Sequence, residues 1–438
     1  MRLLRIEQCE CKCMMAADVV WVAHDIGPVD VDVLIDVDLD GDLDILSRGS
    51  DEGRDGQFLL LRENLGADVF SEEVRVSETI RSWSKHVFYH GDRSIVIDFD
   101  LDGDQDVLVE EVYDFSEGAY FAFENVGGFF QFAGRLGLGE SGSANLELGD
   151  FNRDGNVDVL VNRSNPFTGS SASLFVGHEA AVDLFSDALV PQEFPLQERT
   201  GEINGNAVFF DFDADGDLDV VSTHNYEPWT VGSSLSWYEN IDNVFSERQL
   251  IATRETGWDE GDSRVAVGDV TGDGFDDIIW MGPTASLIPG TADGIGMETV
   301  LFENVARCGT FLADFDLDSD MDIMCYRSWY ENLDGAGNFS STPTTWSWER
   351  RVGPFDYDLD GDIDFVGDGA WLENRRVGDA NNDGVFDSAD LVAVLSKNTF
   401  ETGAAATFNE GDWNQDGQFT TQDLVFAFQF GTYLSAPN

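Results

Sequence analysis

Carboxylates recur in this sequence at a spacing that suits a hard cation. Seven segments carry an acid or amide at positions 1, 3 and 5, usually Gly at 6, and Asp at 9. The first loop runs Asp36, Asp38, Asp40, Asp42, Asp44 and the second Asp98, Asp100, Asp102, Asp104, Asp106, at positions 1, 3, 5, 7 and 9. The same positions hold Asp150, Asn152, Asp154, Asn156, Asp158 in the third loop and Asp211, Asp213, Asp215, Asp217, Asp219 in the fourth. The fifth departs most, with Asp269, Thr271, Asp273, Phe275 and Asp277. The sixth is Asp314, Asp316, Asp318, Asp320, Asp322 and the seventh Asp356, Asp358, Asp360, Asp362, Asp364. A tight turn aims every second side chain inward, and Gly at 6 permits the positive φ of a sharp bend. Carboxylates crowded in this way repel one another strongly unless a cation lies among them. The backbone carbonyl of position 7 is a fifth oxygen, with water completing the shell. An all-oxygen, flexible set of this kind favours Ca²⁺ over Zn²⁺ and Mg²⁺. Three loops are weaker: Asn152 lowers the charge, Thr271 replaces an acid, and Ser319 stands where Gly would ease the bend.

Two further loops follow after Arg376. Asp379, Asn381, Asp383, Val385, Asp387 and Asp390 stand at positions 1, 3, 5, 7, 9 and 12 of one. Asp412, Asn414, Asp416, Gln418, Thr420 and Asp423 stand at the same positions of the other. Val385 and Gln418 would offer their carbonyls. Here the twelfth position is acidic, and apolar residues then recur at helical spacing: Leu391, Val392, Val394, Leu395, and Leu424, Val425, Phe428. Ser388 and Thr421 are the hydroxyl residues expected to cap those helices. These are loop–helix units, and a module this small, with few large core residues, should fold only when metal is bound.

The seven earlier loops lead instead into short β-branched runs, such as Val107–Val112, Val159–Val161 and Ile278–Trp280, which carry no helical period. They therefore close β-hairpins. A second element recurs downstream, an aromatic-rich strand ending in Glu-Asn (Glu63-Asn64, Glu124-Asn125, Glu239-Asn240, Glu331-Asn332, Glu373-Asn374). The third and fifth repeats carry it poorly. Loop starts lie 42 to 62 residues apart, the period of stacked supersecondary units. Each unit reads as four strands, a to d, with the acidic loop between a and b. The last repeat supplies only a, b and c. Val19–Ile26 reads as a strand with no loop before it. It is expected to pair as the outer strand of the last unit and close the array, removing an exposed edge. The alternative is a strand left over from a further upstream unit.

On these residues the array resembles the FG-GAP/VCBS family over residues 19–375. The resemblance implies an all-β seven-bladed β-propeller with up to seven Ca²⁺ in its a–b hairpins, of the kind found in integrin α-subunit heads and bacterial surface proteins. Residues 376–438 resemble a type I dockerin, a small all-α, EF-hand-like calcium-binding domain holding two Ca²⁺ that docks to a cohesin on another protein. In that family the pair before the position-12 acid helps choose the partner, here Ser388-Ala389 and Thr421-Gln422. The two halves differ, so symmetric docking is not expected. The other reading of this module is a calcium-stabilised cap with no cohesin partner. Residues 1–18 read as an uncertain, truncated or misassigned start without a clear signal peptide.

Composition narrows the function. With 85 acidic against 24 basic residues the formal charge is −61, which sets the chain against nucleic acid and anionic membranes. No apolar run approaches the ~18 residues of a membrane span. Cys9, Cys11 and Cys13 lack further ligands for a metal site, and a Cys308–Cys325 disulfide is possible but not favoured by their offsets from the sixth loop. The expectation is a secreted or cell-surface calcium-binding protein. Its propeller would recognise a glycan or protein on the face opposite the loops, around Tyr226, Trp229, Trp258, His90, Arg93 and Asn204. The alternative is a polysaccharide lyase or glycosidase, or its carbohydrate-binding component, as other dockerin-bearing proteins are. A third reading is a structural spacer. No nucleophile–His–acid set, phosphate loop or HExxH motif is present, and the 5 histidines do not cluster, so no catalytic residue is assigned.

Overall fold

The computed structural model describes residues 19–26, 33–50, 57–65, 69–80, 94–112, 117–140, 144–153, 155, 157–163, 171–175, 192–193, 202–212, 215–226, 233–254, 264–282, 284–291, 294–303, 310–325, 328–345, 352–358, 362–367 and 370–434. They form a predominantly β protein. Seven four-stranded sheets follow one another among the described residues, the first six with their strands in sequence order. Sheet one is Val33–Ile35, Asp44–Ser50, Gln57–Arg62 and Val74–Arg75. Sheet two is Ile95–Ile97, Asp106–Val112, Glu117–Asn125 and Phe130–Glu140. Sheet three is Ala144–Gly149, Asp158–Arg163, Ser171–Phe175 and Gln192–Glu193. Sheet four is Glu202–Phe210, Asp219–Tyr226, Ser233–Tyr238 and Gln249–Arg254. Sheet five is Arg264–Gly268, Asp277–Met281, Thr284–Ile288 and Thr299–Glu303. Sheet six is Thr310–Ala313, Asp322–Cys325, Ser328–Tyr330 and Thr344–Thr345. Sheet seven has Val352–Phe355, Asp364–Gly367 and Ala370–Arg376, and its fourth strand is the leading strand Val19–Asp25. That strand runs antiparallel to Ala370–Arg376 in an unbroken register from Val19↔Arg376 to Asp25↔Ala370.

Strand b is apolar on both sides where one sheet packs face to face with the next. One core unites Ile35, Leu46 and Leu59 of sheet one with Val107, Phe121 and Phe130 of sheet two. The other face of sheet two, through Leu108, Tyr120 and Ala122, meets Leu146 and Val159 of sheet three. Further cores join sheets three and four around Leu160 and Val220, and sheets four and five around Val221, Leu235 and Trp280. A last one joins sheets six and seven with the leading strand, through Phe315, Trp329, Phe365, Leu372, Val19 and Trp21. Alternate residues of one strand thus serve two cores, as period-two geometry requires.

By compactness the chain falls into two units, Asp30–Leu312 and a second that joins the leading strand to the chain from Ala313 onward. The second unit contains the helices α1 (Ser388–Ser396) and α2 (Thr421–Phe430). Their N-caps are Asp387 and Thr420, each closing a capping box with Asp390 or Asp423 three residues on. This corrects the expectation that Ser388 and Thr421 cap them. The extended φ/ψ of a cap falls one residue earlier, and Thr421 is instead bound at its N–H and hydroxyl by Glu401. Cys325 is disulfide-bonded; its partner and Cys308 lie outside the described residues, and with them the Cys308–Cys325 pairing weighed from the sequence.

Candidate metal centres

Each acidic loop joins the end of strand a to the start of strand b, and position 9 is the first residue of strand b in all seven sheets. Backbone donors shape the loop from within. The position-1 carboxylate accepts the N–H of position 5 on one oxygen and of position 6 on the other, at 2.9–3.2 Å in the loops that begin at Asp36, Asp98, Asp211, Asp269 and Asp314. Position 5 then accepts the N–H of position 7, as Asp102 does from Asp104 at 3.1 Å. Two left-handed residues make the bend. Position 6 is one of them, at φ 97 for Gly41 and φ 78 for Ser319, so serine adopts the same turn as glycine. The other is position 4, where Leu39, Leu101, Arg153 and Leu317 all have φ between 58 and 63. Nothing about the residue types at position 4 announced this.

Position 9 ties the loop to the rest of its sheet. Asp106 is fully buried; its Oδ2 accepts the N–H of Phe99 at 3.0 Å and its Oδ1 that of Asn125 at 2.8 Å. Asp44, Asp322 and Asp364 repeat this with Val37 and Asn64, Phe315 and Asn332, Tyr357 and Asn374. The Glu-Asn motif is thereby explained: its asparagine N–H anchors strand c to the acidic loop. In sheet five Gly290 N–H does the same for Asp277 at 2.9 Å, which is why that repeat dispenses with the motif. The asparagine side chains reach further. Asn125 donates to the Val37 carbonyl, Asn240 to that of Phe151 and Asn374 to that of Phe315, each in the loop of the preceding sheet. Position 2, whose carbonyl and N–H take part in this lock, is Val, Phe or Tyr in every loop; Phe99, Phe151 and Phe315 are buried between sheets, and Tyr357 is buried against Trp371 of its own sheet. The sequence displays this apolar position, but it carries no ligand atom and its role follows only from the contacts.

The carboxylates come together as a cation site requires. One oxygen from each of Asp36, Asp38 and Asp40, of Asp98, Asp100 and Asp106, of Asp314, Asp316 and Asp318, and of Asp356, Asp358 and Asp364 lies within 4.8 Å of the others in its loop. Burial pushes Asp106 up to about 7 and Asp322 up to about 8. Asp316 rises to about 7 by burial and by repulsion from Asp318. Asp104 and Asp320 rise to about 6 by burial and by repulsion from Asp102 and Asp318. The decisive observation is that Oδ1 of Asp104, Asp316 and Asp320 is buried with no hydrogen-bond donor. A buried acceptor without a donor costs about 1–3 kcal/mol, and more when charged. A cation bound among these oxygens would remove that cost, and an oxygen-only set suits Ca²⁺. Position 7 therefore offers a carboxylate oxygen in the second and sixth loops, where the sequence pointed only to its backbone carbonyl.

The remaining sites are uneven. Asp154, Asn156, Asp213 and Asp360 lie outside the described residues, so the third, fourth and seventh loops are seen in part. Arg153 at position 4 of the third loop approaches exposed Asp215 and half-buried Asp217 of the fourth at 3.8 Å. In the fifth loop Thr271 N–H serves Asp277 at 2.9 Å, and Phe275 can contribute only its backbone. Of the two C-terminal loops, the second gathers Asp412, Asp416 and Asp423 within 4.8 Å, with Asp412 pushed up to about 6 by burial. Both keep the position-1 pattern, Asp379 accepting from Asp383 and Gly384, Asp412 from Asp416 and Gly417. Asp387 and Thr420 at position 9 are engaged as helix caps. His90, Arg93, Trp229 and Trp258 lie outside the described residues, as do the side chains of Asn204 and Tyr226.

Residues 98–161 and 211–280 match the model of the FG-GAP-like repeat, each segment running from one acidic loop through strand b of the next sheet. No curated protein matches the chain. Among solved structures, the chain is similar to BBS1N in its complex with ARL6DN, at 9% identity and a TM-score of 0.40, over 82% of this chain and 97% of that one. It is also similar to the periplasmic gluconolactonase PpgL of Pseudomonas aeruginosa, at 9% identity and a TM-score of 0.28, over 69% of this chain and 96% of that one. The chain carries FG-GAP-like repeats in a predominantly β fold consistent with a β-propeller. No helix among the described residues is long and apolar enough to cross a membrane.

Proposed function

We propose that this chain is a secreted or cell-surface calcium-binding protein built for recognition. In this reading the seven sheets are the blades of one seven-bladed propeller, closed by Val19–Asp25, with ions in its a–b loops. The observation that carries it is the set of buried carboxylate oxygens of Asp104, Asp316 and Asp320 that no donor satisfies. Bound Ca²⁺ would screen the crowded acids; Asp98, Asp100, Asp102, Asp104 and Asp106 are the residues that would hold it in the second loop. The disulfide at Cys325 supports an oxidising compartment. The C-terminal module would hold two further ions and dock to a cohesin-like protein. Val392 and Leu395 on α1 and their counterparts Val425 and Phe428 on α2 are 48–68% exposed, an apolar pair at equivalent places in each half.

Calorimetric titration of the metal-stripped full chain tests the ion reading. Saturable Ca²⁺ binding, with a rise in unfolding temperature larger than equal Mg²⁺ produces, is expected. Absence of heat together with an unchanged unfolding temperature would refute it. Recognition is read on a glycan array: spots retained in calcium and lost without it support a glycan ligand, and a blank array removes the glycan.

A further inference from the structure

The C-terminal loops touch more than their own helices. Strand alternation sends Val19 and Trp21 of the leading strand into the core between sheets six and seven, and turns Val20 and Val22 to the opposite face. There Val20, 5% exposed, is sealed in one cluster with Val377, Phe386, Phe408, Trp413 and Phe419 of the C-terminal module. Trp413 and Gln415 belong to the second loop. Gln415, at position 4 with φ 56, donates its side-chain amide to the Trp21 carbonyl at 3.0 Å. The first loop of the module reaches the same strand through a relay of polar side chains. His24 Nε2 lies 2.7 Å from Glu373 Oε2, and Arg375 Nη1 donates to Glu373 Oε1 at 2.7 Å. Arg375 Nη2 then donates to the carbonyl of Asp379, position 1 of that loop, at 2.9 Å.

We propose that the C-terminal module is a metal-dependent clasp on the leading strand, its two loops setting the positions of Gln415, Trp413 and the Asp379 carbonyl that hold Val19–Asp25 on sheet seven. This rests on the reading that the loops bind calcium. The leading strand is an edge strand, paired on one side only with Ala370–Arg376, and while Val19 and Trp21 pack into the core beneath it, its other face is held by the cover over Val20. The second loop, which lies on that strand, is also the one that gathers Asp412, Asp416 and Asp423 within 4.8 Å. Without an ion their repulsion favours opening the loop, and Trp413 and Gln415 sit between those same acids in the chain. Ion occupancy and strand retention are then linked equilibria, each favouring the other.

Hydrogen exchange on the full chain tests this, following Val19–Asp25 against Asp277–Met281 as an internal reference. In saturating calcium, the D412A/D416A variant should exchange Val19–Asp25 about tenfold faster than wild type, with the reference unchanged. Unchanged exchange at Val19–Asp25, with calorimetry showing fewer ions bound, would overturn the clasp. Should that variant fail to fold, Gln415→Ala leaves every carboxylate in place. It should still speed exchange there and weaken the C-terminal calcium affinity about fivefold or more; wild-type values for both overturn the proposal. If the wild-type chain binds no calcium at all, the ion reading and the clasp both fall. If it binds calcium while Val19–Asp25 exchanges equally with and without it, the clasp alone falls.

Discussion

Replacing Asp106 by alanine separates two roles that the acidic loops combine. The side chain is 0% exposed and accepts the N–H groups of Phe99 and Asn125 at 3.0 and 2.8 Å. Its removal strands two buried donors, at about 1–3 kcal/mol each, for a loss of about 2–6 kcal/mol. At about 2–4 °C per kcal/mol this is a fall of roughly 4–24 °C in unfolding temperature. The loss should appear in full without metal, because the bonds are made by the protein alone. Asp102, at position 5 of the same loop, gives the contrast. It is exposed and accepts one N–H, from Asp104, while its charge adds to burial in pushing Asp100 and Asp104 up. Asp102→Ala should therefore be close to neutral without metal. In calcium at a hundredfold excess over the dissociation constant it should forfeit about 2.7 kcal/mol. Scanning calorimetry of both variants, stripped and loaded, reads the difference. If Asp106→Ala matched wild type without metal and fell only in calcium, position 9 would be a ligand with no structural share, and the account of the Glu-Asn motif would fail with it.

Two other perturbations follow from the geometry. A Cβ at Gly290 would lie 2.1 Å from the Asp276 carbonyl oxygen, so Gly290→Ala must displace the N–H that holds Asp277 and should cost about 1–3 kcal/mol; an unchanged urea midpoint would contradict it. The pH dependence follows from Asp44, Asp106 and Asp322, whose folded values stand at about 6, 7 and 8 against about 3.9 unfolded. The folded state binds the extra protons between those limits, so metal-free stability is greatest on the acid side and is lost as pH rises through 6 to 8. Calcium competes with the same protons and should reverse the trend, so unfolding temperatures of stripped and loaded protein at pH 6 and pH 8 should move in opposite directions.

The strands were legible because the physics that makes them is local. Val107–Val109 and Ile278–Trp280 can be buried on both faces only as central strands, and each begins one residue after the position-9 Asp that opens its strand. The leading strand was legible from a shortage, since the last repeat offers three strands and Val19–Asp25 supplies the fourth. The lock around position 9 was not legible, because its donors are backbone N–H groups that any residue carries. Only the apolar residue at position 2 and the asparagine after each strand c hinted at it. Cap positions were misplaced by one residue, since Ser388 and Asp387 both satisfy the preference and backbone angles decide between them. Contacts such as Gln415 to Trp21 join residues 394 apart and leave no periodic trace.

Both kinds of loop solve one problem with different residues. The N–H groups that open the loop turn inward in each and need an acceptor. Where the chain continues as a strand, position 9 faces back into the turn, and Asp106 takes the Phe99 N–H. Where it continues as a helix, position 9 becomes the N-cap and faces the new helix, as Asp387 does. The residue three further on must then turn back, and Asp390 Oδ1 accepts from Ala380 and Asn381 N–H while Oδ2 accepts from Asp387 N–H. Asp423 does the same for Asn414 and Thr420. An acid at position 12 is thus a consequence of helix geometry at the third residue past the cap, independent of any ion. Whether an acidic loop ends a strand or begins a helix can be read from where the second buried acceptor stands, at position 9 or at position 12.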